Sequence, residues 1–466
     1  MVSSRGLFSI PGVALLIVFI LVKPQEFLST LDRVPFLHLF TGLAVLGYLV
    51  DVRLRRLQPE PSNMLGWVIG FVLWAIASVA LNTPSNFNRL ALELLVLFSF
   101  WGVLAHGVQR LRTFQVVAAA TVATCMFVAA VCMHQGFSST ECIGGDESDG
   151  AIEGQSDGRP CATSLDCRGP GAEPGFDYRC ERVGLFGTYS VDQRVRYRGE
   201  LKDPNEVALT LSAGAIALLI GFASRRRGSS SRRLLTILCL AIAVVTVFMT
   251  KSRGGLLAMM LVPAVYIVRK RGIATLIPAV VVAIPVMMLG GRSDANAEMS
   301  TEMRYDAWAT GIDLWHHNPF FGVGVRQFAA HHFLTAHNSF VLTLAELGIV
   351  GMILFAAIIY LSIKTLIVGL REIADVPGAA TAEIWGTALL SAMAGIVFQI
   401  NTLSFAYHHV LWLFLGLVAA WYSAVRHHKP DLTIRLTMLD LFIISAGCLF
   451  YAIVFMPMLL KLKGVT

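Results

Sequence analysis

"AHNSFVLTLAELGIVGMILFAAIIY", residues 336–360, sets a His-Asn-Ser triplet in front of an apolar run whose one charged side chain is Glu346. A helix that crosses a bilayer needs about 20 apolar residues at 1.5 Å each. Asn338 and Ser339 are good N-cap residues, so the span starts there and His337 is left just outside the bilayer. The same composition recurs along the chain. Of 466 residues, 56% are hydrophobic and 14% are charged, against about 25% charged in a soluble protein. Apolar stretches of crossing length fall near 7–22, 34–50, 64–81, 89–105, 113–133, 204–223, 234–250, 255–268, 273–289, 339–363, 384–403, 409–425 and 439–460. The chain reads as an all-α polytopic integral membrane protein with about 12–13 transmembrane helices.

Arg5 precedes the first stretch and no small-residue cleavage site follows it, so it reads as a retained helix. Basic clusters at Arg53/Arg55/Arg56, Arg110/Arg112, Arg225–Arg227 with Arg232/Arg233, Arg269/Lys270/Arg271, Lys364/Arg371 and Arg426/Lys429 fall in every second connection. Those connections, and the N-terminus, belong inside. They also account for the +7 net charge; with no basic stripe on a soluble domain, no nucleic-acid partner is expected. The organisation is then N-terminal helices over 1–133, an outward Cys-rich loop over 134–203, central helices over 204–289, a second outward loop over 290–338 and C-terminal helices over 339–466. Cys142, Cys161, Cys167 and Cys180 lie in the first loop, while Cys125, Cys132, Cys239 and Cys448 lie in spans. Two disulfides in an oxidising compartment suit the four, with three pairings open. Zinc is the rival, lacking a Cys-x-x-Cys or a nearby His. The acidic piece at 144–150 lacks the spacing of a calcium loop.

Three outward clusters carry polar residues that a membrane scaffold does not need. In "RVRYRGELKDPNEVALTL" (194–211), Asp203, Pro204 and Glu206 form a helix-start pattern. Capping leaves Asn205 and the run Arg194, Arg196, Arg198 unexplained, and the choice is between solvated salt bridges and anion capture beside a helix N-terminus. In "TKSRGGLLAM" (250–259), Arg253 stands before Gly254-Gly255, a guanidinium beside closely approachable backbone or a snorkelling anchor. In the loop 303–340, Tyr305, Trp308, Ile312 and Trp315 recur at helical spacing and predict an amphipathic helix along the interface. "NPFFGVGVRQF" then turns at Pro319, Gly322 and Gly324. The same loop holds His316, His317, His331, His332 and His337, whose adjacent His-His pairs are poorly suited to hold a metal, so no metal is expected. Glu346 comes nine residues after His337, half a turn out of phase and roughly 13 Å deeper on a regular helix. It shares a face with Ser339 and Thr343, a polar seam in the bundle.

The order Arg304, Trp308, Asn318-Pro319, Gly322, Gly324, Phe328, His337-Asn338-Ser339, Glu346, Gly348 and Gly351 resembles the O-antigen ligase family of bacterial envelope proteins. Arg198 to Ala208 and Ser252 to Gly255 look like that family's earlier signatures. The resemblance implies a metal-independent, inverting glycosyltransferase that uses no cofactor. The donor would be a glycan on undecaprenyl diphosphate, and the acceptor a hydroxyl of the lipid A core. The setting would be the periplasmic face of the bacterial inner membrane, which makes the two outward loops periplasmic. A polymerase that joins lipid-linked repeat units, with growing polysaccharide as acceptor, is the alternative. A transporter, with Gln399 and Asn401 as its polar residues, is a further one. For transfer, His337 is the candidate base, and Arg198, Arg253, Arg304 and Asn205 are the candidate diphosphate ligands. Asn338, Ser339, Glu346 and Trp308 are supporting residues. The Cys-rich insertion at 138–182 and an extra C-terminal span depart from the family pattern.

Overall fold

The computed structural model describes residues 7–27, 31, 34–58, 60–144, 155–169, 178–224, 229–275, 277, 278, 281, 285 and 295–465. Five helices come first: α1 Ser9–Leu21, α2 Phe36–Arg53, α3 Leu65–Asn82, α4 Phe87–Gly107 and α5 Leu111–Phe137. The Cys-rich insertion follows, and then α6 Pro204–Ala223, α7 Ser230–Met249, α8 Arg253–Arg271 and α9 Ala295–His317. The last four are α10 Ser339–Glu372, α11 Ala380–Gln399, α12 His409–Arg426 and α13 Met438–Leu462. Among the described residues, α2 to α7 and α10 to α13 are long and apolar enough to cross a bilayer, which makes ten. The chain is a multi-pass, helical membrane protein. α1 is a shorter apolar helix, and α8 covers the expected stretch 255–268 with Arg253 at one end and Arg269, Lys270 and Arg271 at the other. The expected span 273–289, the cluster Arg225–Arg227 and the acidic residues 145–150 lie wholly or mostly outside the described residues.

Within the bundle, contact depends on small residues. Without a hydrophobic drive between helices in lipid, close approach comes from backbone packing. A Cβ on Gly12 of α1 would sit 2.7 Å from the Ala44 backbone of α2, and one on Gly386 of α11 would sit 2.4 Å from the Trp421 ring of α12. α12 is buried along nearly its whole length. By contrast, α7 turns Leu234, Leu235 and Ile237 outward, as a lipid-facing surface does.

Among the described residues, strands occur only in the insertion. β1 Thr140–Gly144 pairs antiparallel with β2 Gln155–Pro160 on one side and β3 Tyr178–Arg182 on the other. Cys142 stands opposite Cys180 in the register, yet each bonds elsewhere: the disulfides are Cys142–Cys167 and Cys161–Cys180. The connections at one end of the bundle interlock. Tyr197 Oη donates to Val22 O (2.9 Å), Val195 N to Met249 O (3.3 Å) and Ser339 N to Ile400 O (2.8 Å).

Candidate active site

The start of α6 is built as its residues dictate. The Asp203 carboxylate accepts from Asn205 N (2.7 Å), and Glu206 reaches back to accept from Asp203 N (3.1 Å), closing a capping box. Asn205, which capping alone does not need, becomes a junction. Its Oδ1 accepts from Arg194 Nη2 (3.1 Å) and from Ser252 Oγ (2.6 Å), its Nδ2 donates to Asp203 (2.8 Å), and its carbonyl accepts from Gln399 Nε2 (2.9 Å). Ser252 in turn caps α8 by accepting from Gly255 N (2.9 Å). A Cβ on Gly255 would lie 2.2 Å from that of Ala208, so the double glycine lets α8 begin hard against α6. Two helix N-termini thus point to one place, and each favours negative charge.

Around that point Arg194, Lys251, Arg253 and Arg304 line a polar cleft with Asn205, Ser252 and Thr301. Arg194 Nε donates to Thr250 O (2.9 Å). It is aimed by the turn before it, where Asp192 and Gln193 take left-handed backbone (φ 50° and 61°). Their N–H groups donate to the buried Glu181 carboxylate of β3 (2.7 and 3.1 Å). The structure therefore brings Arg253, Arg304 and Asn205 together, but not Arg198. Arg198 donates instead to Glu26 O (2.9 Å) and Gly187 O (2.5 Å), in a separate depression with Arg196 and Lys202. Arg194 occupies the place that Arg198 was expected to take, and Lys251 joins it.

His337 is within electrostatic reach of Arg304, which lines the cleft, and of Asp203. Its backbone is left-handed (φ 45°), a conformation that costs a non-glycine residue of order 1–3 kcal/mol and persists only where its surroundings impose it. They do so on both sides. Trp308 Nε1 donates to Ala336 O (2.8 Å) just before it. Just after it, Asn338 caps α10 by accepting from Phe340 N (3.0 Å) and Val341 N (3.2 Å), and donates to Tyr451 Oη on α13 (2.9 Å). Ser339 Oγ donates to Leu403 O (2.7 Å) and accepts from Phe405 N (2.8 Å). Burial, then the positive charge of Arg304, moves the His337 pKa below its ordinary 6.5, with Asp203 opposing and His332 adding to the fall. Its imidazole is therefore neutral at pH 7 and can accept a proton. His332 is occupied otherwise: its Nδ1 lies against the Leu334 backbone (3.0 Å to N, 3.1 Å to O) and its Nε2 against the Asp306 carboxylate (3.2 Å).

Glu346 works differently from a polar seam. α10 breaks at Gly348 (φ 68°), and the loop after Pro319 docks into the break. Val323 N and Gly324 N donate to Ala345 O (2.9 Å) and Glu346 O (3.0 Å), and Ile349 N donates to Pro319 O (2.9 Å). The Glu346 carboxylate accepts from Phe328 N (3.1 Å), while Thr343 Oγ1 bonds back to Ser339 O (2.9 Å). Asn-Pro-x-x-Gly-x-Gly and Glu-x-Gly-x-x-Gly are the two halves of one interlock.

Residues 207–356 match the sequence profile of the O-antigen ligase family. The chain carries an O-antigen ligase domain. The match runs from the first turn of α6 to the middle of α10, and so includes Lys251, Arg253, Arg304, Trp308, His337 and Glu346. No curated protein matches the chain. The O-antigen ligase domain sets the general function as that of the ligase and polymerase class, a glycosyltransferase-type enzyme acting on lipid-linked glycan and polysaccharide in a membrane.

Proposed function

We propose that the chain transfers a glycan from undecaprenyl diphosphate to a hydroxyl of the lipid A core, at the periplasmic face of the bacterial inner membrane, with inversion at the anomeric carbon and no metal. The observation that carries this reading is the convergence of four cations and two helix N-termini on one cleft within electrostatic reach of a neutral histidine. The acceptor hydroxyl attacks the anomeric carbon and its proton passes to His337. The new glycosidic bond forms as the bond to the phosphate oxygen breaks, and the electron pair leaves with undecaprenyl diphosphate. Arg194, Lys251, Arg253 and Arg304 neutralise that diphosphate. Arginine suits this because its planar fork gives two parallel hydrogen bonds to phosphate oxygens and keeps its proton. Such fixed charge, aimed where negative charge develops, does the work a divalent cation does elsewhere. Trp308, Asn338 and Ser339 hold the base in place, and Arg198 ties the connection after α1, at Glu26, to Gly187.

In a reconstituted assay with the undecaprenyl-linked donor and lipid A core, His337→Ala is expected to lose about 10²- to 10⁴-fold in transfer, with the protein still accumulating in membranes. Normal transfer by His337→Ala and Arg304→Ala together would sink the assigned roles. Deleting the gene should leave bare lipid A core and polymer stranded on its carrier. Single repeat units attached to the core would point to the polymerase reaction instead.

A further inference from the structure

A second cavity of about 250 Å³ opens at the same end of the bundle and shares no lining residue with the cationic cleft. Its polar wall comprises His38 of α2, Glu93 of α4, Glu200 of the turn before α6, Arg326 of the loop docked on Glu346, and Tyr407 and His409 at the start of α12. Leu90, Leu94 and Leu97 of α4 form an aliphatic wall. Arg326 pairs with Glu93 (3.0 Å), and Glu200 is flanked by His409 (3.5 Å) and Lys23 (3.6 Å). Burial pushes the Glu200 carboxyl up, but His409, His408 and Lys23 together hold it well below the usual range. It is therefore a standing hydrogen-bond acceptor.

The two cavities differ in charge. The described lining of the cleft carries four cations, whereas in the second cavity each carboxylate already faces a basic group, Glu93 with Arg326 and Glu200 with His409 and Lys23, a wall of mixed donors and acceptors rather than the concentrated positive charge that a diphosphate needs. A polyol fits it. Its hydroxyls can donate to Glu93 and Glu200 and accept from Arg326 and Tyr407, while its C–H face packs on the leucines. The volume lies below the roughly 300–1,000 Å³ of pockets for drug-sized ligands, the scale of a sugar unit rather than a long glycan. Glu200 walls this cavity and Asn205 walls the cleft, so the backbone between them spans no more than about 18 Å. Asp203 lies between the two, within reach of His337. An in-line displacement places the attacking hydroxyl across the anomeric carbon from the leaving oxygen. The acceptor sugar therefore belongs on the side away from the diphosphate cleft.

We infer that this cavity is the acceptor subsite, holding the terminal sugar of the acceptor glycan so that its hydroxyl reaches His337; this rests on the glycosyl-transfer reading. The test uses the full chain in detergent with undecaprenyl-diphosphate-linked glycan as donor and lipid A core as acceptor. Leu97→Trp fills the cavity from its aliphatic wall, and Glu93→Gln keeps its shape but removes a carboxylate. Each is expected to raise the acceptor KM about tenfold or more, as the loss of a charge-assisted hydrogen bond does, with the donor KM unchanged. Equilibrium binding of the deacylated core oligosaccharide, measured without donor, should weaken in the same order. An unchanged acceptor KM and unchanged binding in both variants, beside an active parent, would overturn the inference. A rise confined to the donor KM would overturn it as well. If the unaltered chain transfers nothing but binds the oligosaccharide, with both variants weakened, the sugar site stands and the transfer reading falls.

Discussion

A histidine serves as a base only while neutral, and His337 is kept neutral by burial and by Arg304. The rate should therefore rise with pH through a pKa below 6.5 and be flat at neutrality. Replacing Arg304 with Gln removes a cation that lowers this pKa, so the acidic limb should move to higher pH in a kcat/KM profile taken between about pH 5 and 8. A limb that stays in place would show that the two groups are not coupled. Arg253→Lys keeps the charge but loses the fork, and should cost about 1.5–3 kcal/mol, roughly 10- to 100-fold in kcat/KM. Arg253 and Arg304 were legible in the sequence as cleft residues; Arg194 was not told apart from its neighbours. Arg194, Arg196 and Arg198 follow one another at every second position, and only the tertiary bonds of Arg194 to Thr250 and Asn205 turn it into the cleft. Lys251 did carry a signal, as a basic residue in an outward connection where such charge is sparse.

At the level of elements, the break in α10 matters most. Gly322 has φ 65°, and a Cβ there would lie 2.2 Å from the Glu346 backbone. Gly378, with φ 82°, has open space around the same position. Gly322→Ala should therefore lower thermal stability in detergent by more than Gly378→Ala, which meets only the left-handed backbone cost of about 1 kcal/mol. Equal losses would mean that the interlock contributes nothing. The helices themselves were readable from apolar length, and the α6 cap from Asp203, Pro204 and Glu206. What misled was continuity. The phase relation between Ser339, Thr343 and Glu346 holds on this stretch of helix, but the Glu346 carboxylate is taken by a loop some twenty residues earlier, and no periodicity encodes that partner. Gly348 stood in the family pattern without revealing that the helix opens there.

For the whole molecule, the insertion is more than an appendage. Glu181 of β3 holds the turn that aims Arg194, and the sheet is tied by disulfides spanning 25 and 19 residues, each worth about 3 kcal/mol. Reduction, or Cys161→Ser with Cys180→Ser, should open the insertion to protease and slow transfer while leaving the thermal transition of the helical bundle in place. Full activity of the reduced protein would separate the sheet from the cleft. For these four cysteines the sequence favoured disulfides over zinc but left three pairings open, because a pairing depends on strand order. The anchors of His337 have one more consequence. Asn338 is tied to Tyr451 on the last helix, and Ser339 to residues 400–405. Those partners are synthesised after the histidine itself, so a nascent or prematurely ended chain carries every cation of the cleft before it can fix its base. Assembly at the membrane thus ends with the step that fixes the backbone around His337.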